Sequence, residues 1–103
     1  MSGADPVDER DAAARLVARG RVQGVGFRWF TRSVASALGL AGWVRNRRDG
    51  TVEAEVHGDR AAVEALAERL RKGPSGTGVS AVDVDWLPDA GAAPGGFEIR
   101  PTV

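Results

Sequence analysis

The sequence predicts an α+β sandwich in which two helices pack on one face of an antiparallel sheet. Two stretches, from Phe27 to Leu38 and after Asp59, repeat apolar residues at three- and four-residue steps, as helices with one buried face do. Between and around them lie short runs that alternate apolar and polar, the pattern of strands with one face toward a core. The length of 103 residues supports a single core of this size and not two domains.

Taken in order, residues 1–12 show no periodicity, carry Pro6 and clustered charge, and are expected to form a flexible N-terminal tail, leaving 13–103 as one domain. Arg15 to Val22 alternates, with Leu16, Ala18, Gly20 and Val22 toward the core and Arg15, Val17, Arg19 and Arg21 away from it. After a glycine-loosened turn, Phe27, Phe30, Val34 and Leu38 trace a helix face, and Gly39 is placed to end that helix as a left-handed cap. Ala41 to Arg47 sets Gly42, Val44 and Asn46 on one face and Trp43, Arg45 and Arg47 on the other. Asp49-Gly50 favours a tight hairpin turn into a strand with Val52, Ala54 and Val56 inward and Thr51, Glu53, Glu55 and His57 outward, so that arginines face glutamates on the solvent side and His57 is a solvated strand-end residue. Asp59 caps a second helix whose stripe is Val63, Leu66, Ala67 and Leu70, ended by Gly73-Pro74. A strand over Val79–Leu87, a glycine- and alanine-rich loop over Pro88–Gly96 and a short strand over Phe97–Arg100 complete the chain. The order β-α-β-β-α-β with an extra terminal strand is that of the ferredoxin-like sandwich, a fold with many functions, so function has to be read from a site.

Composition narrows the chemistry. Cysteine is absent, which excludes disulfides, thiol nucleophiles and cysteine-based zinc sites, and a single histidine with no tyrosine thins the acid–base options. No apolar run approaches the roughly 18 residues needed to span a bilayer, and the polar, acidic opening does not resemble a signal peptide, so a cytoplasmic protein with no membrane partner is expected. The formal net charge is zero, a poor basis for binding duplex nucleic acid, yet the charges are unevenly spread. Between Ala12 and Arg48 stand Arg15, Arg19, Arg21, Arg28, Arg32, Arg45, Arg47 and Arg48, and no Asp or Glu.

The turn Val22-Gln23-Gly24-Val25-Gly26-Phe27-Arg28 is where that charge matters most. Backbone N–H groups in such a turn can converge on a concavity, and the first N–H groups of the following helix have no partner inside it. Arg28 in the first helical turn opposes the helix dipole, an arrangement that makes sense when an anion sits there. Asn46 falls on the inward face with Gly42 and Val44, where an unpartnered amide would cost about 1–3 kcal/mol and a bound water or ligand is a natural partner.

The two blocks Gly20-Arg21-Val22-Gln23-Gly24-Val25-Gly26-Phe27-Arg28 and Gly42-Trp43-Val44-Arg45-Asn46, with Asp49-Gly50-Thr51-Val52-Glu53 after them and Phe97-Glu98-Ile99-Arg100 at the end, resemble the acylphosphatase family over about Arg15–Val103. The resemblance implies metal-independent hydrolysis of the carboxyl–phosphate anhydride bond of acyl phosphates, with no cofactor. It implies that Gln23, Gly24, Val25, Gly26, Phe27 and Arg28 bind the phosphate, through backbone N–H groups and the Arg28 guanidinium, and that Arg28 and Asn46 are the catalytic residues, Asn46 positioning the attacking water. Arg47 departs from the small polar residue common after that asparagine, but it points to the opposite face.

Two readings from other classes compete. A non-catalytic module that binds phosphate or a phosphometabolite could use the same turn, though binding alone gives Asn46 nothing to do. An RNA-binding ferredoxin-like domain would place aromatic side chains on exposed central strands, where this chain has Arg15, Arg19, Arg21, Glu53 and Glu55. A monomer acting on a small acyl phosphate, releasing inorganic phosphate, is the expectation carried forward.

Overall fold

The computed structural model describes residues 12–88 and 95–103. The elements are β1 (Ala12–Arg21), α1 (Phe27–Ala37), β2 (Ala41–Asn46), β3 (Val52–Gly58), α2 (Arg60–Lys72), β4 (Gly78–Trp86) and β5 (Phe97–Ile99). The first strand begins three residues earlier than its alternation suggests, so Ala12 belongs to β1 and not to the tail. The rest of the expected tail, and most of the expected loop over Pro88–Gly96, lie outside the described residues.

The strands form one sheet in the order β4-β1-β3-β2-β5. β1 pairs antiparallel with β3 and β4, and β2 pairs antiparallel with β3. β5 joins the outer edge of β2 in parallel, matching Gly42 with Phe97 and Val44 with Ile99. The sheet is therefore mixed, an ordinary outcome for an added edge strand.

Both helices cover the same face. α1 lies over β2 and β5, and α2 over β4 and β1. Between them and the sheet sit Leu16, Val22, Phe27, Val44, Val56, Val63, Leu66 and Leu70, each almost fully withdrawn from water. Burying a side chain of this kind stabilises the fold by about 1.5–3 kcal/mol relative to leaving it in water.

Local signals set the helix ends. Asp59 accepts from the Ala61 N–H at 3.1 Å and caps α2. α1 ends in a Schellman motif, in which Gly39 takes a left-handed conformation while the Leu40 and Gly39 N–H groups donate to Ala35 and Ser36 at 2.9 and 3.0 Å.

The open face of the sheet is less solvated than its polar pattern suggests. Glu53 and His57, expected in solvent, are only 7% and 8% exposed. β3 lies between β1 and β2, and long side chains from both neighbours lean over it: Arg15 and Arg45 reach the Glu53 carboxylate at 3.2 and 2.9 Å. His57 Nε2 lies 2.8 Å from Glu55 Oε2, whereas its Nδ1 is buried without a partner. Trp43 is covered by the guanidinium groups of Arg45 and Arg100, 4.5 and 5.0 Å from its ring centre.

Candidate active site

The turn between β1 and α1 is pinned at both ends by core side chains, Val22 before it and Phe27 after it, each 1% exposed. Between these anchors Gly24 and Gly26 adopt φ of 76° and 77° while Val25 does not enter the left-handed region. A Cβ on either glycine would meet nothing within 4 Å, so backbone conformation, and not space, is what calls for glycine there. Alternating left-handed and ordinary residues turns successive N–H groups toward one concavity.

Gly26 is also the N-cap of α1, and it offers no side chain to the helix. The first helical bond runs from the Phe30 N–H to the Gly26 carbonyl at 3.0 Å, which leaves the N–H groups of Phe27, Arg28 and Trp29 without helical partners. No acidic residue stands in the first turn. Arg28, half-buried at the second helical position, forms no ion pair among the described residues. Uncapped N–H groups, the positive end of a helix and an unpaired guanidinium thus stand together, an arrangement suited to an oxyanion.

Asn46 is the last residue of β2, opposite Val52 and on the helix side of the sheet with Val44. Its Oδ1 is buried without a hydrogen-bond partner. Such an atom is costly unless a water or ligand donates to it.

Gln23 connects the two halves in a way its sequence position does not announce. Its side-chain Nε2 donates to the carbonyls of Arg47 at 2.7 Å and Thr51 at 2.8 Å, at the base of the β2–β3 hairpin. The start of the turn is thereby tied to the residue that follows Asn46. Alternation identifies which face a residue occupies but not which distant carbonyls it meets, so nothing in the sequence signals this contact. Arg28 and Asn46 share no hydrogen bond. A shallow groove of about 310 Å³ lined by Trp29, Arg32, Ser33 and Ser36 runs along the outer side of α1, apart from the turn.

The family model described as acylphosphatase matches residues 14–99, nearly the whole described fold including the turn and Asn46. The chain belongs to the acylphosphatase family. It is 52% identical over 93 residues to the acylphosphatase of Mesorhizobium japonicum, covering 90% of this chain and 98% of that protein. The acylphosphatase of Rhizorhabdus wittichii matches at 46% identity over 103 residues, the full length of both chains. Among solved structures, an acylphosphatase from Coxiella burnetii superposes with a TM-score of 0.83 at 32% identity, covering 90% of this chain and 96% of that one. The expected α+β fold and family membership both hold, and the chain is accordingly an acylphosphatase-family hydrolase acting on acid anhydrides.

Proposed function

We propose that the turn Gln23–Arg28 and Asn46 form the active site at which this chain hydrolyses small acyl phosphates. The phosphate sits against the N–H groups of Gly24, Val25, Gly26, Phe27 and Arg28, and the Arg28 guanidinium makes paired hydrogen bonds to its oxygens. Asn46 Oδ1 accepts a hydrogen bond from a water O–H and so directs the water's lone pair at phosphorus. The new P–O bond forms as the bond to the acyl oxygen breaks, and the carboxylate leaves with the bonding electron pair. A carboxylate is a good leaving group and needs no general acid. The water's proton passes to a phosphate oxygen, since the proposed site contains no carboxylate or imidazole to accept it and the Arg28 guanidinium is already protonated.

Positioning and charge stabilisation carry the rate in this scheme, with developing negative charge held by donors fixed before the reaction starts. The orphaned Oδ1 of Asn46 is the observation that favours turnover over mere phosphate binding, because a phosphate offers no donor for a buried acceptor to use whereas an attacking water does. Among the described residues no three His, Asp or Glu side chains are grouped as a metal site would need. Action as a monomer in the cytoplasm, on a small molecule and not on a nucleic acid, belongs to the same proposal. Among the described residues no helix is long and apolar enough to cross a membrane.

The test is hydrolysis of acetyl phosphate in excess chelator. Wild type turns over, Arg28→Ala loses both turnover and inhibition by inorganic phosphate, and Asn46→Ala loses about 10²–10³ in kcat while still binding phosphate. Phosphate binding without turnover in the wild type would establish the non-catalytic module instead.

A further inference from the structure

We propose that the Gln23 side chain is a positioning residue that sets the distance between the phosphate turn and Asn46, an inference that rests on the site assignment above. Its amide gives one donor to each of two carbonyls, those of Arg47 and Thr51, at 2.7 and 2.8 Å. These residues flank the hairpin turn. The turn already closes without Gln23, because the Arg47 N–H donates to the Thr51 carbonyl at 2.9 Å and the Gly50 N–H to the Arg47 carbonyl at 3.0 Å. Gln23 therefore takes the second lone pair of each acceptor, and its loss leaves neither carbonyl orphaned. The two bonds are not what makes the hairpin. They join two substructures that are each already complete.

What they join is informative. Gly24, the first glycine of the anion turn, follows Gln23, and Asn46 precedes Arg47. Two bonds from one planar amide to two separate carbonyls fix orientation as well as distance, which a single bond does not. The hairpin end of this strut is held in turn: Asp49 Oδ1 accepts from the Thr51 N–H at 2.9 Å and its hydroxyl at 2.6 Å. On the other side the Val103 N–H donates to the Asn46 carbonyl at 3.2 Å. Asn46 is thus braced from both directions, and Gln23 is the brace that refers it to the phosphate. A reaction that relies on placing a water against phosphorus is sensitive to displacements of about 1 Å, which can cost about a hundredfold.

The experiment measures acetyl phosphate hydrolysis and competitive inhibition by inorganic phosphate in wild type, Gln23→Ala, Gln23→Met, Asn46→Ala and each Gln23 substitution combined with Asn46→Ala, with thermal unfolding to confirm that each is folded at the assay temperature. Gln23→Met retains the length and bulk of the side chain, so it reports on the lost donors even if Gln23→Ala fails to fold. The expected result is a fall in kcat of about tenfold or more in the Gln23 variants, with phosphate inhibition changed by less than about threefold, because the turn keeps its own N–H groups and Arg28. In the Asn46→Ala background, where no amide is left to place, Gln23→Ala or Gln23→Met should cost less than about twofold. A folded Gln23→Met with wild-type kcat, or a Gln23 substitution that costs the same factor with and without Asn46, overturns the inference. If Asn46→Ala itself is as fast as wild type, the assignment of Asn46 falls and the role of Gln23 falls with it. Slow Asn46→Ala with fast Gln23 variants removes only the present inference.

Discussion

Arg45 and Glu53 face each other across the β2–β3 ladder, and their side chains meet at 2.9 Å over a part of the sheet where the carboxylate is nearly withdrawn from water. Arg15 binds the other Glu53 oxygen at 3.2 Å, so one buried carboxylate joins three strands. Removing it takes the shared carboxylate from both arginines, although Glu55 and Asp85 still stand opposite Arg15 on the neighbouring strands. Both guanidinium groups retain access to water, which keeps the cost below the roughly 3–5 kcal/mol of breaking a fully buried pair. Glu53→Ala is expected to destabilise the protein by about 1–2 kcal/mol, read as a lower denaturant midpoint at unchanged slope. Hydrolysis by the folded fraction should be unaffected, since this cluster lies on the face away from the helices.

Asp49 gives the hairpin a pH dependence of known sign. The Thr51 hydroxyl, then the Thr51 N–H, hold its carboxyl below the ordinary value of 3.8, with Arg47 assisting. A group whose pKa is lowered by folding contributes stability above its unfolded value, and that contribution is lost as the pH falls through the folded value. Asp49→Ala should therefore unfold at a lower temperature than wild type near pH 7, and the gap should narrow below about pH 4. A gap that stays constant from pH 7 to pH 2 would sink this account of Asp49.

The glycines divide into two kinds, which substitution separates. At Gly26 only the left-handed backbone objects to a side chain, so Gly26→Ala should cost about 1–2 kcal/mol and still fold. Because that strain bears on the proposed phosphate turn, its inhibition by phosphate should weaken as well. At Gly42 the added Cβ would collide with the Glu55 carbonyl of the neighbouring strand. Gly42→Ala has to push β2 and β3 apart, and loss of the folded state by circular dichroism is the expected outcome.

Arg28→Lys distinguishes charge from geometry. Lysine keeps the positive charge at the start of α1 but replaces the planar fork by a point charge. Phosphate inhibition should survive in weakened form, while kcat/KM falls by about tenfold to a hundredfold, between wild type and Arg28→Ala. Equal activity of the Lys variant and wild type would mean that paired hydrogen bonds from Arg28 play no part.

Thr31 tests how the first turn of α1 is held. It is fully buried, and its hydroxyl donates to the Phe27 carbonyl at 2.9 Å, one turn back. The bond runs within the helix, so a same-shaped apolar residue strands no distant partner. Thr31→Val should change stability by less than about 1 kcal/mol, whereas Thr31→Ala, which opens a small void beneath the turn, should cost more. Denaturant unfolding of the pair separates the two effects.

Much of this architecture is local and is written in the chain. Helix and strand periodicity depends on near neighbours, so β1 to β5 and both helices can be read from residue spacing, as can the ends marked by Gly39, Asp59 and Gly73. Gly24 and Gly26 mark the turn because only a residue without Cβ adopts those angles freely, and Arg28 and Asn46 stand out because each carries polarity where its element is otherwise unfavourable to it. The tertiary structure alone decided that β5 lies parallel beside β2, that Glu53 and His57 are buried on the polar face, and that Gln23 reaches carbonyls 24 and 28 residues away. Alternation assigns a face to each side chain, but what covers that face depends on which strands become neighbours. Side chains of β3 are shielded because β1 and β2 flank it, and Gln23 finds its acceptors because the ends of β1 and β2 converge. Both are consequences of strand order, a property of the assembled sheet and not of any single segment.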